Sequence, residues 1–146
     1  MSFMSMAIEE ARAAAALGEV PVGAILVVQG RIVAQTGNRI ITQNDPTAHA
    51  EMLALRAGAA ALGTARLDGA HLYVTLEPCA MCAGAIALAR IARLYYGASD
   101  PKGGAVEHGP RFFTQATCHH RPEVYSGFAA EESAALLRDF FAARRS

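Results

Sequence analysis

The chain has no net charge, few cysteines and no long apolar run. Its 13 basic and 13 acidic residues cancel, and charged residues make up only 18% of the sequence. That balance is not the profile of a general nucleic-acid binder, whose basic surface follows the phosphate backbone. Three cysteines in 146 residues are too few for a disulfide framework and suit a reducing cytoplasm. No apolar stretch nears the roughly 18 residues of a membrane span. The first residues show no basic region followed by an apolar core, so no signal peptide is expected. Internal repeats, linkers and low-complexity segments are also missing. One domain over residues 1–146 is therefore expected, large enough to bury a core. The hydrophobic content of 53% is high for a small monomer and leaves apolar surface for a partner subunit.

What the chain does have is concentrated in two short stretches, His49-Ala50-Glu51 and Leu76-Glu77-Pro78-Cys79-Ala80-Met81-Cys82. Cysteines at Cys-x-x-Cys spacing can aim two thiolates at one ion from the first turn of a helix. Pro78 suits the first helical position, where its missing N–H is no loss. A helix N-terminus also favours negative charge, which helps keep Cys79 and Cys82 as thiolates. His49 supplies a third ligand from a second helix that opens after Asp45-Pro46-Thr47. Three protein ligands leave the fourth zinc position to water, which is the mark of a catalytic site.

Glu51 then has a role. Zinc lowers the pKa of its water toward about 7, and a carboxylate beside that water can carry the proton to a leaving group. His-x-Glu followed by Pro-Cys-x-x-Cys is the known signature of the zinc deaminases of cytosine and adenine. A purely structural zinc module would need Cys118 or His119 as a fourth ligand and would leave Glu51 idle.

Periodicity places these motifs on elements. Phe3–Leu17 has helical spacing and stops at Gly18. Val20–Val28 reads as a buried strand, turned by Gln29-Gly30 into Arg31–Gln35 as a hairpin. Thr36–Asp45 reads as a pocket loop, Ala48–Leu62 as a helix, and His71–Leu76 as a strand leading into the Pro-Cys helix. That helix runs to about Arg90, with Ile91–Tyr96 as the next strand. Pro110–Ala116 is a short helix or strand, Glu123–Tyr125 a last strand, and Glu131–Arg145 an amphipathic helix. Strands separated by such helices imply parallel crossovers and an α/β/α sandwich. The backbone N–H groups at the two helix starts, around Ala50 and Cys79, are placed to orient a substrate.

The wording around the motifs resembles the bacterial tRNA-specific adenosine deaminases. The matching stretches are Glu19-Val20-Pro21-Val22-Gly23-Ala24, Asp45–Glu51, Leu72–Cys79 and Ala80–Ala85, and the likeness weakens between Gly103 and Tyr125. It implies a cytidine deaminase-like fold with a central mixed five-stranded sheet and one Zn2+ per chain. It also implies hydrolysis of adenosine to inosine at the wobble position of a tRNA anticodon, by a cytoplasmic homodimer. Asn38 matches an asparagine that hydrogen-bonds the nucleoside, and a buried amide can pair bidentately with an adenine edge. Asp100 matches a position near the target nucleotide. The RNA would be the anticodon stem-loop, helped by the five basic residues Arg90, Arg93, Lys102, Arg111 and Arg121. The competing activity with the same chemistry is deamination of a small molecule such as guanine, cytosine or cytidine.

Overall fold

The structure, a computed structural model, describes residues 1–145. In chain order the elements are α1 (Phe3–Ala16), β1 (Gly23–Val28), β2 (Arg31–Gly37), α2 (Ala50–Leu62) and β3 (His71–Leu76). There follow α3 (Ala80–Leu88), β4 (Arg93–Ala98), a 3-10 turn (Phe112–Thr114), β5 (Glu123–Tyr125) and α4 (Ala130–Arg145). The sheet order is β2-β1-β3-β4-β5. β1 is antiparallel to both its neighbours, whereas β3, β4 and β5 run parallel, with Leu72 opposite Leu94 and Leu94 opposite Val124. The mixed five-stranded sheet expected above is therefore the one observed.

β1 is apolar throughout because both of its faces are covered. Ala24 and Leu26 join Ala50, Ala54, Ala83 and Ile86 in the core beneath α2 and α3. Ile25 and Val27 point the other way, toward Met4 and Ala7 of α1. α1 and α4 touch each other on that second face, which completes the three layers. α1 lies very close to the start of β1: a Cβ on Gly23 would fall 2.0 Å from the Ala7 carbonyl oxygen. The β1–β2 turn puts Gln29 and Gly30 at φ 51 and 77, the positive pair that a tight hairpin requires.

Several boundaries move. β1 opens at Gly23 and not Val20, because Pro21 has no N–H and the Val22 N–H bonds locally to the Val20 carbonyl. Pro78 is not the first helical residue: Cys79 is the N-cap of α3, with Pro78 before it. α3 ends at Leu88, short of Arg90, whose φ of 66 is incompatible with a continuing helix. Segment 110–116 holds only one 3-10 turn. β3 and β5 fall where the pattern put them.

Candidate metal and substrate site

α2 and α3 pack against each other with their N-termini on one side of the sheet, and each N-cap residue carries a metal-type donor. His49 and Cys79 cap their helices with extended backbone and without a side-chain capping bond, so imidazole and thiol stay available. His49 Nδ1 lies 3.7 Å from Cys79 Sγ and 3.5 Å from Cys82 Sγ. Tetrahedral zinc with ordinary Zn–N and Zn–S lengths needs N···S edges of roughly 3.6 Å. All three donor atoms lie within 4.8 Å of one another. Donor types and spacing thus fit a zinc ion.

The electrostatics agree. The Cys79 thiol falls to about 4, chiefly because Cys82 donates to it, with His49 adding to the effect against burial. Cys82 shifts upward, because it is the donor in that pair and is buried. A dication held by Cys79 and Cys82 would reverse that upward shift and keep both as thiolates.

Glu51, the second residue of α2, is 4% exposed. Burial pushes its carboxyl up to about 7. Together with His49 and Cys79 it lines a cleft of about 260 Å³, also walled by Val20, Val22, Ile40 and Leu76. An acidic group in the wall beside the metal donors is what a proton-carrying role requires.

Asn38 and Asp100 line the same cleft, but one expectation about substrate contacts changes. The Ala50 N–H is not free for a ligand: it donates to Asn38 Oδ1 at 2.7 Å. The same bond takes up one acceptor position of the Asn38 amide oxygen, which carries two lone pairs beside an NH2 donor. Asn38 thereby holds the start of α2 in place from the neighbouring loop. Asp100 Oδ1 accepts the N–H groups of Lys102 and Gly103, which folds its own loop.

Two carboxylates that the sequence reading passed over prove central. Glu19, 1% exposed, accepts the N–H groups of Ile41 and Thr42 and the Thr42 hydroxyl. Burial raises its pKa, but these bonds, with help from Arg39, outweigh burial and hold it below the usual glutamate range. It pins the loop that carries Asn38. Glu77, 2% exposed, does the same for the loop after β4, and it too is held down by hydrogen bonds that overcome burial. The available signal was a glutamate set into an apolar run with no cation nearby, as in Val74-Thr75-Leu76-Glu77-Pro78.

The Cys118-His119-His120 run does not join the metal donors. Cys118 donates to the His120 carbonyl, and His120 Nε2 lies 2.7 Å from the Ile91 carbonyl oxygen. Among the described residues, His49, Cys79 and Cys82 form the only such donor group. Of the basic run, Arg93 pairs with Glu123 at 3.2 Å and Arg111 binds the Glu107 carbonyl. The stretch is therefore less of a uniform positive patch than its composition implied. Phe140 is core, with the Arg144 guanidinium 3.6 Å from its ring centroid.

Comparison with known proteins agrees with this geometry. Residues 1–98 match the cytidine and deoxycytidylate deaminase zinc-binding region. The chain is 62% identical over 143 residues to a tRNA-specific adenosine deaminase of Agrobacterium fabrum, covering 98% of this chain and 94% of that one. A solved structure from studies of A-to-I editing by tRNA adenosine-34 deaminases is 62% identical, with a TM-score of 0.91. It covers 92% of this chain and 98% of that chain. A guanine deaminase from Bacillus subtilis is more distant, at 32% identity and a TM-score of 0.67 over 99% of this chain and 92% of that chain.

Proposed function

From the premise that this chain belongs to the cytidine and deoxycytidylate deaminase family, among its tRNA-specific adenosine deaminases, we propose that it hydrolyses adenosine 34 of a tRNA anticodon to inosine. The observation that carries this reading is the joint one. A full-length match to that branch coincides with a His-Cys-Cys donor triangle and a buried glutamate in one cleft. When bound by His49, Cys79 and Cys82, zinc supplies a Lewis acid that makes water nucleophilic near neutral pH.

The protein's own residues do the rest. The target base swings out of its stack into the cleft. Glu51 takes the first proton given up by the attacking water and delivers it to the purine ring nitrogen, then carries the proton of the newly bound hydroxyl to the departing amine. A carbon–oxygen bond forms at carbon 6 of the purine, the carbon–nitrogen bond breaks, and ammonia leaves. Asn38 and Asp100 wall the nucleoside from two loops, and apolar Val20, Val22 and Ile40 exclude water from its flank. The reaction belongs to the cytoplasm in this reading, where thiols remain reduced.

The test is a side-by-side assay of an anticodon stem-loop, free adenosine, guanine and cytidine. Inosine should form on the stem-loop alone, and stem-loop affinity should fall as salt rises, because Lys and Arg contacts release counterions. Turnover of free guanine with none on RNA would move the protein to the small-molecule deaminases.

A homodimer is the second part of the proposal. α2 and α3 leave an apolar groove lined by Met52, Leu55, Ala59, Leu67 and Leu88, and Leu88 is 81% exposed. So large an exposed aliphatic beside other apolar groups suits coverage by a second copy. Sedimentation should report twice the 15.3 kDa chain mass, and Leu88→Asp should shift it toward the single chain. A wild-type monomer at micromolar concentration would contradict this.

A further inference from the structure

The segment from Ser99 to Arg111 contains no helix or strand, yet it supplies Asp100 and Gly103 to the wall of the reactive cleft. Something other than regular hydrogen-bond ladders must fix its height above the metal donors. The fully buried side chain of Glu77 does so. Its Oε2 accepts the N–H groups of Val106, Glu107 and His108 at 3.1, 2.8 and 3.0 Å. Its Oε1 takes the Asp100 N–H at 2.9 Å and lies 2.7 Å from His108 Nδ1. Three consecutive backbone N–H groups converging on one oxygen form an anion-binding nest, here filled by the protein's own carboxylate.

The loop is shaped to come this close. A Cβ on Gly104 would sit 2.5 Å from Glu77 Cδ and 2.6 Å from Oε2. The backbone beside the carboxylate is tied as well: the Glu77 N–H donates to the Ala98 carbonyl and the Ala105 N–H to the Pro78 carbonyl. Glu77 and Cys79 stand two residues apart, on the span that joins β3 to α3. Whatever hangs from Glu77 is therefore set in register with a metal donor.

We propose that Glu77 is a positioning residue for the deamination, fixing Asp100 at the cleft so that it grips the nucleotide beside the metal donors. The inference rests on the tRNA deaminase reading and on Asp100 as a substrate contact. A carboxylate is needed because all the groups around it can donate. A glutamine must turn its NH2 either toward the three-amide nest or toward the Asp100 N–H, and in either place it meets a backbone N–H that it cannot accept. The favoured orientation keeps the oxygen in the nest and releases Asp100.

The experiment measures KM and kcat on an anticodon stem-loop, with zinc content, for wild type, Glu77→Gln, Asp100→Ala and the double variant. Inosine formation by the wild type comes first: its absence would overturn the functional reading and this inference with it. Given wild-type activity, Glu77→Gln should raise KM roughly tenfold, with full zinc and kcat changed less than about threefold. In the double variant KM should stay within about twofold of Asp100→Ala, because the two residues act through one contact. An unchanged KM in Glu77→Gln, or effects that multiply in the double variant, would overturn the proposal. Should Glu77→Gln lose zinc or fail to fold, His108→Ala decides, since it removes a half-exposed partner of the same Oε1. A smaller rise in KM at constant kcat supports the proposal there, and an unchanged KM overturns it.

Discussion

Glu51→Gln is expected to bind zinc and RNA like the wild type and to lose roughly 10²–10⁴-fold in single-turnover inosine formation. Glutamine keeps the shape of the side chain at the start of α2, so packing in its 4%-exposed site is preserved. It cannot carry a proton, and in this mechanism one group serves more than one transfer. Glu51→Ala should fall as far, with some added loss of stability from the space it leaves. The measurement is inosine formed on an anticodon stem-loop, with zinc content and binding recorded on the same preparation. Turnover within a fewfold of wild type in Glu51→Gln would remove Glu51 from the proton path. Loss of zinc in that variant would make the residue structural instead.

His49→Ala, Cys79→Ala and Cys82→Ala are each expected to drop zinc well below one ion per chain and to abolish turnover. Nδ1 and the two Sγ atoms span one coordination triangle, and two of the three cannot close it. The ion also joins the first turns of two helices, so each variant should melt earlier than the zinc-loaded wild type. Cys118→Ser is the control. Cys118 donates to the His120 carbonyl, away from the donor triangle, and serine can keep that bond, so zinc should remain. Full zinc in any of the first three variants would strike that residue from the ligand set, and loss of zinc in Cys118→Ser would give the site a fourth ligand.

The sequence revealed the parts of this site whose chemistry is local along the chain. His49 and Glu51 are two residues apart, Cys79 and Cys82 three, and each pair rides on the first turn of a helix, so spacing alone carried the geometry. β3 was readable to the residue because His71–Leu76 lies between a glycine turn and Glu77-Pro78. What escaped was long-range. Asn38 meets the Ala50 N–H across 12 residues, and no sequence pattern says that two expected substrate contacts bind each other. Glu19 and Glu77 reach partners 22 to 31 residues away. Their identity as loop anchors depends on backbone N–H groups, which every residue but proline carries and which leave no mark in composition. The shift of Pro78 out of α3 is local instead: Cys79 keeps extended backbone, with φ -76 and ψ 177, and so becomes the N-cap.

The most direct test of the central claim is sequencing of cellular tRNA, reading position 34, in cells depleted of this protein and in cells given it back. A wobble adenosine should stay unedited on depletion and become inosine again with the wild-type chain but not with Glu51→Gln. Full inosine at that position after depletion would contradict that claim.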